Sequence, residues 1–158
     1  MRKLLVLCLI VLFASCKDKD KDSAPDPDYA PELVGNYSTL TVEPNLSITQ
    51  DWEVTDIDKN LLAITFTKTN KVTASGSSVS FVQIYKLKDV KVTGQGTIAI
   101  DEVVDVEQTL PDKLQQKVQG VGTLVTNSAG NPQINITLKF SNTAKSDTYE
   151  NYLEFKKK

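Results

Sequence analysis

The chain has 158 residues, 18 basic and 20 acidic, with two cysteines and no histidine. Without an imidazole there is no histidine general acid or base, no Ser-His-Asp or Cys-His nucleophile arrangement and no histidine-ligated zinc. The near balance of charge, slightly acidic, excludes the concentrated positive surface on which nucleic-acid binding depends.

The chain opens with Arg2-Lys3, an apolar run from Leu4 to Ala14, and then Ser15-Cys16. The run is too short to cross a bilayer, which takes roughly 20 residues as a helix. Two cations before it and small residues after it are the marks of a cleavable export signal. Phe13-Ala14-Ser15-Cys16 resembles the lipobox of bacterial lipoproteins, with Leu12 one place further upstream than the strict motif has it. The resemblance implies cleavage after residue 15 and lipidation of Cys16, so residues 1–15 are expected to be a signal peptide and the membrane a direct partner. Cys8 leaves with the signal and Cys16 carries lipid. The exported domain then has no thiol for a disulfide, a metal or a nucleophile, and its core alone must stabilise it.

After Cys16 come Lys17-Asp-Lys-Asp-Lys-Asp22 and Ser23-Ala-Pro-Asp-Pro-Asp28. Alternating charge followed by two prolines cannot pack, so residues 16–31 read as a solvated linker. In lipoproteins of the Bacteroidetes type, short charged runs beside the lipidated cysteine direct export to the cell surface. The expected location is therefore the bacterial outer membrane, lipid-anchored, at the cell surface or on the periplasmic face. Asp22-Ser23-Ala24 also resembles the O-glycosylation motif of the same bacteria.

Residues 32–158 have the size of one domain. Period-two alternation dominates them. Leu46, Ile48, Trp52 and Val54 share one parity, as do Leu62, Ile64 and Phe66, and later Ile134, Ile136, Leu138 and Phe140. Polar residues occupy the other parity, the signature of half-buried antiparallel strands. Turn chemistry at Pro44-Asn45, Asp58-Lys59-Asn60, Thr69-Asn70, Gly76-Ser77, Lys88-Asp89 and Asn127–Asn131 separates the runs. The spacing predicts eight strands, near 34–42, 46–56, 61–68, 78–87, 90–101, 117–126, 133–141 and 149–156. Short connections favour an up-and-down meander, and closing it into a barrel removes both edges. The fold expected is all-β, an eight-stranded antiparallel up-and-down β-barrel. The only helical candidate, Pro111–Lys117, reads equally well as a loop or as the start of a strand. Gly94, Gly96, Gly120 and Gly122 fall inside strand patterns, where they mark bends or the close approach of a ligand or another strand.

Leu33-Val34-Gly35-Asn36-Tyr37 resembles the opening of calycins, the superfamily of the lipocalins, whose first strand carries Gly-x-Trp. Tyrosine stands here in the tryptophan's place, and the family packs a basic side chain on that ring. The resemblance covers 32–158 and implies a barrel closed at one end, with Gly35 and Tyr37 as structural signature. It also implies a cavity for a small apolar or amphipathic ligand, and Trp52, Phe66 and Tyr85 are the candidate ligand contacts.

The acids Asp51, Glu53, Asp56, Asp58, Asp101, Glu102, Asp105 and Glu107 could supply a carboxylate pair, but they lie on polar strand faces or in turns. Asp56-Ile-Asp58-Lys-Asn60 opens like a calcium loop, yet Leu61 stands where that loop needs glycine and Thr67 where it needs glutamate. No catalytic residue, metal ligand or cofactor is expected. Two functions remain: a tethered, non-enzymatic binder of a small apolar or amphipathic molecule, or an envelope protein with a filled barrel acting by protein or glycan contact. Bulky inward candidates slightly favour a filled interior or a shallow cup. The identity of any partner protein is not readable from these residues.

Overall fold

The computed structural model describes residues 26–158; the expected export signal, Cys16 and the charged run after it lie outside the described residues. Eight antiparallel strands in sequential order close into a barrel: β1 (Gly35–Glu43), β2 (Leu46–Asp58), β3 (Leu61–Ala74), β4 (Ser77–Gly94), β5 (Thr97–Gln108), β6 (Leu114–Thr126), β7 (Pro132–Asn142) and β8 (Thr148–Lys157). A single helical turn, α1 (Ala30–Leu33), precedes β1.

The alternation read in the sequence is the inside–outside alternation of this barrel. Trp52 and Val54, Leu62, Ile64 and Phe66, and Ile134 through Phe140 on even positions all point inward and are buried. In β6 the inward parity is that of Gln116, Val118, Gly120, Gly122 and Leu124, while Val121 faces solvent. Gly120 is there for space. A Cβ at that position would stand 2.6 Å from the carbonyl oxygen of Thr137 on β7, a backbone atom that cannot swing aside.

β4 departs from the sequence reading. Lys88-Asp89 does not turn the chain; it is a bulge inside one 18-residue strand. The inward parity changes across it, from Tyr85 and Leu87 to Val90 and Val92. The backbone N–H groups of Lys88 and Asp89 both donate to the Glu102 carboxylate, each at 2.9 Å, so the bulged amides keep acceptors without a ladder partner. The turn lies instead at Gln95-Gly96, where Gly96 has a left-handed φ of 64°. Gly96 is thus a hairpin residue rather than a strand interior one, and β5 extends to Gln108 through residues left outside the predicted strands. Pro111–Lys117 is loop followed by the start of β6.

One end of the barrel is plugged. Ala30 and Leu33 are fully buried beneath it. Asn60, itself left-handed at φ 55°, accepts from the Tyr29 N–H and donates through its own N–H to Asp28 and through its amide to the Pro27 carbonyl. Glu32 accepts from the Gly96 N–H on the neighbouring turn. The packed body therefore reaches back to Pro27, into residues that composition assigns to the linker.

Gly120→Ala is expected to destabilise by on the order of 1–3 kcal/mol through overpacking, read as a lower urea midpoint. Gly94→Ala, with no atom within 4 Å of the added methyl, should stay within about 0.5 kcal/mol of the parent. Equal effects at the two glycines would mean that β6 and β7 do not approach as described.

Candidate functional site

The sequence-predicted ligand contacts come together, but with one another. Trp52, Phe66 and Tyr85 are neighbours along one row of β2, β3 and β4 and none is more than 1% exposed. Phe66 stacks on Tyr85 at 5.1 Å between ring centroids and meets Trp52 edge-on at 6.1 Å. From the far wall Phe155 stacks on Trp52 at 4.1 Å, and Phe140 lies 5.6 Å from Tyr85. Such pairs each add roughly 0.5–1.5 kcal/mol beyond the area they bury. These five rings occupy the middle of the barrel. The Trp52 indole N–H finds no acceptor among the described residues, which leaves one buried donor unsatisfied.

The signature pair Gly35-Tyr37 sits at the plugged end. Tyr37 is fully buried and its hydroxyl donates to the Leu33 carbonyl of α1 at 2.9 Å. Burial raises its pKa above the usual tyrosine value. Lys157, at the end of β8, holds its ammonium 5.5 Å from the Tyr37 ring centroid and donates to the Val34 carbonyl at 2.8 Å. Its aliphatic stem runs over Gly35, where an added Cβ would meet Lys157 Cε at 2.7 Å. A cation on the face of Tyr37 thereby ties the last strand to the first.

The opposite end is open. Moving outward from the aromatic row, the inward positions become polar: Gln50, Lys68 and Gln83 in register on β2, β3 and β4, then Gln108 on β5. Gln83 donates to Gln108 at 3.2 Å, and the Tyr85 hydroxyl donates upward to Gln116 at 2.9 Å. Burial, with Tyr149 beside it, pushes the Tyr85 pKa well up, so the phenol stays protonated. Beyond this polar collar, β1, β2, β3 and β4 continue as one four-stranded sheet. Their inner face there carries Glu43, Leu46, Val72 and Val79 in one row and Thr41, Ile48, Asn70 and Phe81 in the row beneath. Val72 and Val79 are 39% and 56% exposed. Beside the collar lies a cleft of ≈ 990 Å³, bounded by Gln83, Gln108, Leu110, Leu114, Asn142 and Lys145.

A second opening follows the seam between β1 and β8. Those strands pair only at Tyr37–Lys157 and Ser38–Lys156, and above this they part around a cleft of ≈ 380 Å³. Leu40 and Val42 stand exposed on the outer face of β1 there.

The candidate acids do not converge. Asp51 pairs with Lys158, Asp101 with Lys117 and Glu107 with Lys86, at 2.7, 2.9 and 2.6 Å. Glu102 serves the β4 bulge, and Asp58 accepts from the Lys59 N–H in its own hairpin turn. Among the described residues no three potential metal ligands cluster.

The collar and the face beyond it were not marked by the sequence reading. Lys68-Thr69-Asn70 looks like the end of a strand, whereas β3 runs on to Ala74. The signal available was Val72 and Val79, which keep parity with Phe66 and Tyr85 across that polar interruption.

Compared with protein-family models, with curated proteins and with solved structures, the chain matches none significantly.

Trp52→Ala should cost about 3–5 kcal/mol, as loss of a large buried ring does. Trp52→Phe should cost distinctly less, because it also deletes a buried donor whose unmet hydrogen bond is worth about 1–3 kcal/mol. Far-ultraviolet dichroism in urea reads both. Equal losses would contradict the orphaned indole.

Proposed function

We propose that this chain is a non-enzymatic lipoprotein of the bacterial outer membrane, tethered through Cys16, whose barrel binds a small amphipathic molecule at its open mouth. The observation that carries the reading is the division of the barrel: an aromatic core below, a polar collar above it, and an unfilled, partly apolar space of ≈ 990 Å³ beside the collar. Binding sites are concave, with apolar walls and a few polar groups that orient the guest. Trp52, Phe66 and Tyr85 then act as the floor beneath the ligand rather than as its direct contacts.

The calycin resemblance gains support from Lys157, since the family packs a basic side chain on the aromatic ring of its first-strand motif and Lys157 lies on Tyr37. Fold kinship alone names no ligand. A second reading, contact with another protein, is favoured by the parted β1–β8 seam, where unpaired backbone and the exposed Leu40 and Val42 offer an edge for strand addition.

Cys16→Ser should move the protein from the membrane fraction to the soluble one, because the substitution removes the site of the proposed lipid tether; retention in membranes would remove the lipoprotein reading. Native mass spectrometry and organic extraction of the purified protein are expected to release a small amphipathic molecule. A protein that carries none, and whose Trp52 emission is unchanged by amphipathic probes, would transfer the function to the seam.

A further inference from the structure

β1 is paired with β2 along its whole length but with β8 only at its base. Where β1 and β8 still meet, the Asn36 carbonyl accepts from the Lys158 N–H opposite it, at 2.9 Å. In an antiparallel ladder one such bond fixes which residues face the partner strand, since every second residue turns both its N–H and its C=O that way. In β1 these are Asn36 and Ser38, then Leu40 and Val42; in β8 they are Lys158 and Lys156, then Glu154 and Tyr152. Pairing stops at Ser38–Lys156, so the backbone groups of Leu40 and Val42 continue the series with no strand to receive them.

The side chains of the same two residues point outward, and they are 61% and 70% exposed. Edge strands are ordinarily guarded by a charge, a bulge or a proline. Nothing of that kind stands at Leu40 or Val42. Extending the register past Ser38–Lys156 would set Leu40 opposite Glu154 and Val42 opposite Tyr152, itself 60% exposed. The strands part instead, and Leu40 and Glu154 line the cleft between them, with Lys156 at its closed foot. Glu154 has no cation within 4.0 Å among the described residues, unlike Asp51, Asp101 and Glu107 elsewhere on the outer surface. Its side chain meets only the Tyr152 hydroxyl, at 3.4 Å, longer than an ordinary O–H···O bond.

We infer that the seam docks an extended segment of another protein in which an apolar residue stands two places before a lysine or arginine. The inference rests on the protein-contact reading given above and is independent of the mouth site. The segment adds antiparallel to β1 and takes the free N–H and C=O groups of Leu40 and Val42 as its partners. Running against β1, it passes Val42 first and reaches the foot last. Its apolar side chain then lies between Val42 and Tyr152. Its cation, two residues on, lies between Leu40 and Glu154, the aliphatic stem covering Leu40 and the charge meeting the carboxylate. Ser38–Lys156 occupies the next place, so the added strand ends there. A second copy of β1 offers the same ladder but brings no cation to Glu154.

The test is a titration of the isotope-labelled full chain carrying Cys16→Ser with the peptide acetyl-Thr-Thr-Thr-Ile-Thr-Lys-Thr-amide, read by amide shifts and hydrogen exchange. The Leu40 and Val42 amides should shift and gain protection, while Gln83 and Gln108 at the mouth stay unchanged. Val42→Pro deletes an N–H that faces the seam and spares the β2 ladder; it should weaken the peptide at least about fivefold. Val42→Lys, which keeps the backbone intact, should weaken it too. Glu154→Lys should lower affinity for this peptide and raise it for the glutamate counterpart, each by about two- to fivefold, the scale of an exposed ion pair. Equal binding of the lysine and glutamate peptides at Leu40 and Val42 would overturn the cation assignment and leave the edge standing. A chain that sediments as a dimer, with those two amides protected before any peptide is added, would overturn the foreign segment in favour of a second copy. No peptide-dependent change at Leu40 and Val42 would overturn the docking edge, and with it the contact reading, without touching the mouth site.

Discussion

The barrel is closed by two paired positions, Tyr37 with Lys157 and Ser38 with Lys156, whereas β1 and β2 pair at nine. Everything inside depends on that narrow closure. A sheet of eight strands left open would expose two edges and the aromatic faces between them. Lys157 compensates for the missing ladder by three simultaneous contacts: its stem on Gly35, its ammonium over Tyr37, and a hydrogen bond to Val34. Tyr37 in turn holds α1 through the Leu33 carbonyl, so closing the seam and plugging the end are one act.

From that fixed end the interior grades outward. Aliphatic side chains such as Leu33, Leu62 and Ile64 fill the plugged third, five aromatic rings the middle, and amides with one ammonium the collar. The gradient follows from water access: donors and charges are tolerable where solvent or a guest can reach them, and costly deeper down. The Trp52 indole is the exception, the lone unmet buried side-chain donor among the described residues, stacked on Phe155. Strands β1 to β4 run on past the collar, and their inner face there mixes apolar side chains with Thr41, Glu43 and Asn70.

Much of this was legible in the residues. Alternation at Leu62–Phe66 and Ile134–Phe140 fixes which side chains share the interior, and its persistence through short turns implies the meander. The β4 bulge was not legible, because Lys88-Asp89 shifts parity exactly as a turn would, and only Glu102, more than ten residues on, supplies the acceptors that let the strand continue. Nor does composition distinguish Pro27–Pro31 from linker; its order comes from Asn60 and Gly96, both distant in sequence. Lys157 is one of three consecutive lysines, and nothing local says which one meets Tyr37. Lys68 was hidden for the opposite reason: a lysine in a strand reads as solvated, and its reach across the mouth to Tyr149 depends on closure.

The segment from Pro27 to Leu33 enters at the sealed base, so a leash beginning at Cys16 would attach there as well. On the tether reading proposed above, the attachment point and the rim are at opposite ends of the barrel. A ligand of the proposed mouth site would then enter at the end remote from its tether.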